Sequence, residues 1–237
     1  MKKIAVMVSL SLALMVTGLS HAAPKRPPTI NKNRIGPYAV GSVGMTNYSS
    51  DQELTESILM NFLQLGYPSQ NVEASTDETD IGYQANFGYR FHRFFAFELG
   101  LAKFGDLVTY ARGDIDYPDR PGGFIPSTSE LTFSASGVLM SALGVLPIKD
   151  KFEIFGRVGY MFASIERDFV SKAEGETVLY GGVREDTQEV VYGLGLGWNL
   201  NQVYAIHAEY QIVKDMGTGG AGSEDLEFLM LGLQVRF

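Results

Sequence analysis

The sequence predicts an all-β fold, an eight-stranded antiparallel up-and-down barrel that crosses a lipid bilayer, with a short helix in its first external loop. Three observations carry that expectation. Stretches of about ten residues alternate apolar with small or polar side chains. The linkers between them alternate short with long, and the chain opens on an export leader.

The leader comes first. Lys2 and Lys3 precede an apolar run from Ile4 to Leu19, and Ser20 and Ala22 supply small residues beside a cleavage point. Residues 1–23 therefore read as a secretory signal peptide. The run is marginal for the roughly 20 apolar residues of a helical span. Residues 24–35, which hold Pro24, Lys25, Arg26 and Lys32, read as a flexible periplasmic tail, and residues 36–237 as the barrel domain. The formal net charge is −8 and becomes more negative once Lys2 and Lys3 leave. An acidic chain has no electrostatic drive toward nucleic acid. Cysteine is absent, which removes disulfides, thiolate metal sites and a Cys nucleophile.

The strands follow in order. Tyr38 to Tyr48 is a weak first strand, with Ala39, Gly41, Val43 and Met45 as its apolar face. The clearest strand is the second. Ile81, Tyr83, Ala85, Phe87, Tyr89 and Phe91 alternate with Gly82, Gln84, Asn86, Gly88 and Arg90. A helix, with its 3.6-residue repeat, would not sort them so. In the third, Phe95, Phe97, Leu99 and Leu101 oppose Ala96, Glu98, Gly100 and Ala102. In the fourth, Leu131, Phe133, Ala135, Leu139, Leu143 and Val145 read as apolar against Thr132, Ser134, Ser136, Met140 and Gly144. The fifth sets Phe152, Ile154, Val158, Tyr160 and Phe162 against Glu153, Arg157, Gly159 and Ala163. The sixth sets Val190, Tyr192, Leu194, Leu196, Trp198 and Leu200 against Glu189, Val191, Gly193, Gly195, Gly197 and Asn199. The seventh sets Tyr204, Ile206, Ala208, Tyr210 and Ile212 against Ala205, His207, Glu209 and Gln211. The last sets Leu229, Leu231, Leu233, Val235 and Phe237 against Met230, Gly232, Gln234 and Arg236.

Short links fall at 92–93, 147–151 and 201–202, and long ones at 50–79, 105–129, 167–187 and 214–225. Short turns on one rim and long loops on the other are the pattern of outer-membrane barrels. Ten strands stay open, because the first or second long loop has room for a hairpin. The apolar faces are expected to meet lipid. The opposite faces are rich in Gly, Ala and Ser, which suit the crowded interior of an eight-stranded barrel and would weaken strands on a soluble surface. Phe91, Phe95, Phe152, Trp198, Tyr204 and Phe237 mark the short-turn end of that outer face, and Tyr83, Phe133, Tyr192 and Tyr210 are expected to form the opposite belt.

On these residues the chain resembles the outer-membrane β-barrel family of OmpA, OmpX and opacity type. The resemblance rests on Gly36-Pro37-Tyr38-Ala39-Val40-Gly41, on Phe87-Gly88-Tyr89-Arg90-Phe91 and on the closing strand Leu229 to Phe237. It implies a place in the outer membrane, contact with lipid and lipopolysaccharide, and insertion by the barrel-assembly machinery. Leu229, Leu231, Leu233, Val235 and Phe237 would be the signal that machinery reads. The C-terminal peptidoglycan-binding domain of many such proteins is not expected after Phe237.

The inward faces hold ionisable residues: Arg90, Glu98, Glu153, Arg157, Glu189, His207, Glu209 and Arg236. Unpaired charges in a narrow lumen are costly, so opposite charges are expected to pair. Two readings are open: a satisfied polar plug, or a gated ion path in which Arg157 and Glu209 exchange partners. His207 and Glu209 raise a third, a lipid acyl hydrolase, but that chemistry needs a Ser nucleophile beside a His on the lipid side. No enzyme activity, cofactor or metal is expected, since His92 and His207 do not make a ligand set.

The first long loop carries DQELTESILMNFLQL from Asp51, with Leu54, Ile58, Leu59, Phe62 and Leu63 at helical spacing, and Gly66 and Pro68 to stop it. A short loop helix is expected there, either packed on the rim or meeting host or surface ligands. The functional expectation is a monomeric surface protein with an envelope-maintaining or adhesin-like, antigen-like role. A narrow passive or gated channel is the alternative, and the hydrolase comes third.

Overall fold

The structure is a computed structural model and describes residues 34–48, 68–77, 79–116, 123–149, 151–216 and 224–237. The expected loop helix and the leader lie outside the described residues. Ten strand segments run along the chain: β1 (Gly36–Tyr48), β2 (Ser69–Asp77), β3 (Thr79–His92), β4 (Phe95–Lys103), β5 (Leu107–Asp116), β6 (Phe124–Ile148), β7 (Phe152–Ala173), β8 (Glu176–Asn199), β9 (Tyr204–Met216) and β10 (Glu224–Arg236). All their pairings are antiparallel.

Eight of them form a ring in the order β6-β4-β3-β1-β10-β9-β8-β7, which the β6–β7 pairing closes. The first and last strands pair from Tyr38↔Arg236 to Tyr48↔Leu226. Hydrocarbon offers no partner to backbone N–H and C=O groups, so a spanning sheet must close in this way.

The other two segments correct the expected long loops. β5 pairs with the first part of β6, and β2 pairs with β5. β7 and β8 run on as one hairpin to a turn at Glu174 and Gly175, both at positive φ. Much of the expected second and third loops is therefore strand. The result is a sheet in the order β2-β5-β6-β7-β8 that extends beyond the ring, while the ring keeps eight strands. Gly105 sits where β4 gives way to β5. The Thr46 hydroxyl accepts from its N–H at 3.0 Å and the Tyr48 hydroxyl donates to its carbonyl at 2.6 Å. A Cβ there would lie about 2.5 Å from Asp80, so the close approach needs glycine.

The outward faces match expectation on β3, β4, β7, β8, β9 and β10, and leave Phe87, Leu101, Val158, Leu194 and Leu231 exposed to the surroundings. On the short-turn rim Phe91 stacks on Phe95 and Phe152 on Trp198, with ring centroids 6.4 and 6.5 Å apart.

β6 reverses the expected parity. Phe133, Ala135, Leu139, Leu143 and Val145 are buried inside the barrel, Leu131 is partly buried, and Val138, Met140 and Leu146 face outward. Phe133 is only 8% exposed and does not belong to the upper aromatic belt. The reason is that the lumen's loop-side half is apolar. Tyr48, Phe104, Leu107, Phe133, Leu139, Met161, Ile165, Val191, Val213, Met216, Leu226, Phe228 and Met230 cluster there. Phe133 meets Tyr48 edge-on and Phe104 meets Phe228 likewise, each pair at 5.5 Å between centroids. β6 thus carries apolar residues on both faces, and its alternation by itself does not tell inside from outside.

Two glycines on the inner wall accept aromatic rings from neighbouring strands. A Cβ at Gly88 would lie 2.3 Å from the Tyr38 ring, and one at Gly195 would lie 2.2 Å from the Phe155 ring. These are aromatic side chains laid over cross-strand glycines, at Tyr38↔Gly88 and Phe155↔Gly195.

Leu139→Ala is expected to destabilise the folded barrel by about 2–5 kcal/mol, because it opens a cavity in the buried cluster. Met140→Ala, one residue on and facing lipid, is expected to cost much less. Urea unfolding of both variants refolded into vesicles measures the difference. Equal losses would return β6 to the parity read from sequence. Gly195→Val must displace the Phe155 ring, and a lower yield of the heat-modifiable folded form on a gel is the expected readout.

Candidate functional site

Below the apolar cluster, toward the short turns, the lumen is polar. Its centre is Arg157, which β7 points inward between β6 and β8. Arg157 is 5% exposed. Its Nε donates to Glu209 Oε1 at 2.5 Å and its Nη2 to Glu209 Oε2 at 3.1 Å, a two-pronged clamp. Its Nη1 donates to Ser141 Oγ at 2.6 Å and lies 2.8 Å from Glu98 Oε2. The Tyr38 hydroxyl donates to the other Glu98 oxygen at 2.7 Å. One guanidinium therefore serves two carboxylates, with a serine and a tyrosine filling the remaining valences.

Nearer the short turns the ratio inverts. Glu153 Oε1 accepts from Arg34 Nη1 at 2.7 Å and from Arg90 Nη1 at 2.9 Å. Arg90 Nη2 also donates to the Arg93 carbonyl at 2.5 Å. Beside this group, Arg236 Nη2 donates to Asn199 Oδ1 at 2.6 Å and to Gln234 Oε1 at 3.2 Å. His207 lies with its ring 5.2 Å from that of Phe155.

The structure gathers seven of the eight inward ionisable residues named from sequence into this region. Glu189 stands apart, nearer the loops, where it accepts from the Thr187 hydroxyl. The Arg157–Glu209 pairing is present, and Glu98 joins it from across the barrel. Sequence reasoning missed Tyr38, Ser141, Asn199 and Gln234 as partners, although their parity was legible once their strands were placed. Ser141 was hidden by the reversed reading of β6. Arg34, read as part of the tail, reaches Glu153 from just outside β1, and no period applies to such a residue.

His207 faces the lumen, away from the wall that acyl chains would touch. Ser141 has its hydroxyl occupied by Arg157. Around Arg157 the arrangement is one of mutual charge satisfaction.

The comparisons bear on which barrels this wall resembles. The OmpA-like transmembrane domain family matches residues 38–237. The chain belongs to that family. The OmpA-like barrel is 25% identical over 240 residues to outer membrane protein A of Serratia marcescens, covering 100% of this chain and 56% of that protein. It is 26% identical over 204 residues to outer membrane protein A of Klebsiella pneumoniae, covering 84% of this chain and 50% of the relative. The chain thus spans about half the length of the curated relatives it matches. Among solved structures it is similar to Ail, the attachment invasion locus protein of Yersinia pestis. That match has 15% identity and a TM-score of 0.42, covering 86% of this chain and 99% of the other. This OmpA-like barrel is a protein of the outer membrane, and the family it matches is not a catalytic one.

Arg157→Met is expected to destabilise the barrel by about 3–5 kcal/mol, because it leaves Glu98 and Glu209 buried without their counter-charge. Adding Glu98→Gln and Glu209→Gln is expected to recover most of that loss. Unfolding midpoints of the single and triple variants measure it. A triple variant no better than the single would mean that shape, and not charge, makes Arg157 matter.

Proposed function

We propose that this OmpA-like barrel is a surface protein with a structural and adhesive role, in which the sealed ring anchors a sheet that meets partners outside the cell. One observation carries this reading, the free edge of β8. The strand pairs with β7 from Glu176 onward but with β9 only from Val191. Among the described residues its first half, 176–190, therefore has no partner strand along one side. Such an edge is a template for an added strand. Val178, Leu179, Tyr180 and Val183 line the segment, and Tyr180 is 81% exposed. Glu130, Asp168, Glu176, Glu185 and Asp186 lie on the same strands, β6, β7 and β8. Arg112 pairs with Glu73, and Arg184 with Glu166, on the exposed surface. The excess of carboxylates favours an extended basic segment as partner.

The apolar cluster supports a structural role over the channel alternative. Buried Phe104, Leu139, Met161, Phe228 and Met230 lie across the loop-side lumen, where an ion would shed its hydration with nothing to replace it. A hydrolase is supported less again, because His207 faces away from acyl chains. We further propose that residues 1–23 are removed on export. Leu229, Leu231, Leu233, Val235 and Phe237 would present the assembly signal, with lipopolysaccharide around the outer wall and the barrel acting as a monomer.

Replacing residues 165–185 by a short turn between β7 and β8, which joins the paired Ser164 and Asp186, tests the reading. Host-cell binding by bacteria that display the variant is expected to fall to background while small-solute permeability stays unchanged. Binding that survives the excision, or a permeability that rises with it, would favour a gated pore instead.

A further inference from the structure

The short-turn rim carries charge of the opposite sign to the chain as a whole. Asp and Glu number 27 against 19 Lys and Arg over the sequence. The short links at 92–93, 147–151 and 201–202 nevertheless hold Arg93, Lys149 and Lys151 against Asp150 alone. The sequence that leads into β1 has the same bias, with Lys25, Arg26, Lys32 and Arg34 and no Asp or Glu from residue 24 to residue 50. Arg93, Lys149 and Lys151 are exposed, and none of them enters an ion pair among the described residues. Glu153 turns inward, where Arg34 and Arg90 hold it.

Strand pairing brings these cations to one side of the rim. β4 lies beside β6, and the Val145 N–H donates to the Phe94 carbonyl at 2.8 Å, which sets the β3–β4 turn next to the β6–β7 turn. The Asn199 N–H donates to the Lys151 carbonyl at 2.7 Å and ties the second turn to the end of β8. Each turn adjoins a stacked aromatic pair on the outer wall, Phe91 with Phe95 and Phe152 with Trp198. The Arg93 guanidinium also lies over the Phe94 ring, 4.6 Å from its centroid. Aromatic rings on a barrel wall collect at the border between hydrocarbon and headgroups. Arg93 is two residues from either ring of its pair and Lys151 is next to Phe152, so both cations fall at the depth of lipid phosphates. Long basic side chains reach that layer while their stems stay on apolar surface.

We propose that the rim formed by the β3–β4 and β6–β7 turns is a docking surface for anionic phospholipid headgroups. Arg93, Lys149 and Lys151 select such lipids over zwitterionic ones, because each basic side chain near an anionic lipid surface adds to the attraction. A soluble anionic polymer would meet the same charge but not the rings beneath it, and those rings favour a lipid. This surface is separate from the sheet of β2, β5, β6, β7 and β8 and does not depend on adhesion.

The chain's one tryptophan, Trp198, stands at this rim and reports on it. The full chain is refolded into phosphatidylcholine vesicles that contain a small fraction of brominated lipid in both leaflets, so that the direction of insertion does not matter. Brominated phosphatidylglycerol is expected to quench Trp198 as though enriched about fivefold over brominated phosphatidylcholine, the scale of one basic side chain at an anionic surface. High salt is expected to remove the enrichment. Replacing Arg93→Gln, Lys149→Gln and Lys151→Gln together is expected to bring the ratio to about one, the value for no selection between the two headgroups. Arg112→Gln, on the distant sheet, is expected to leave it unchanged. Heat-modifiable migration confirms that each variant is folded, and the single variants Arg93→Gln and Lys149→Gln, each expected to lower the ratio, keep the test open if the triple variant fails to insert. Equal quenching by the two lipids in the unaltered chain overturns the proposal, and so does an enrichment that survives loss of all three cations. Equal quenching together with co-sedimentation of the chain on an insoluble anionic polymer would overturn it in favour of a polymer partner.

Discussion

A backbone N–H or C=O in hydrocarbon must find its partner within the protein, and this protein meets that demand by joining β1 to β10. Much else follows from the closure. An eight-stranded ring has an interior just wide enough for side chains. Inward positions are consequently small, as at Gly193, Gly195 and Gly197, or are filled by a ring laid across a glycine, as Phe155 is over Gly195. Charges admitted to that space must be matched there. Among the described residues, arginines and glutamates pair unevenly along the length of the lumen.

The local mismatch divides the lumen into layers. The middle layer holds one arginine between two carboxylates, and the short-turn layer holds three arginines around one. The loop-side layer is packed with Phe104, Leu139, Met161, Phe228 and Met230, and its inward carboxylate, Glu189, accepts from the Thr187 hydroxyl. A lumen built this way gains stability from burial at one end and specificity of pairing in the middle. Anchoring and sealing are consequences of one packing scheme.

Beyond the ring, water is available to backbone groups and the closure rule lapses. β6, β7 and β8 continue past the point where β4 and β9 stop pairing with them, and β2 and β5 add to the same sheet. Free edges that would be untenable in lipid are tolerated there. The edge at residues 176–190 keeps apolar and aromatic side chains beside it in place of the lysines or prolines that usually blunt such edges.

The period-two alternation in the amino-acid sequence settled the fold class, because only a strand sorts Ile81 to Phe91 into two such faces. It also settled which residues share a face on most strands, and the lengths of the short turns. Three things needed the tertiary structure. The side of β6 that faces inward depended on what fills the lumen, since Leu139 and Met140 are both apolar and only closure decides between them. The partners of Arg157 depended on register among strands far apart in the chain, Glu98 on β4 and Glu209 on β9, and hydrophobic patterning along one strand holds no record of its neighbours. The long linkers read as loops because polar residues on both faces erase the alternation. β2 and the outer half of β8 are strands through their hydrogen bonds alone, and those bonds exist only once the ring has placed the adjoining strands.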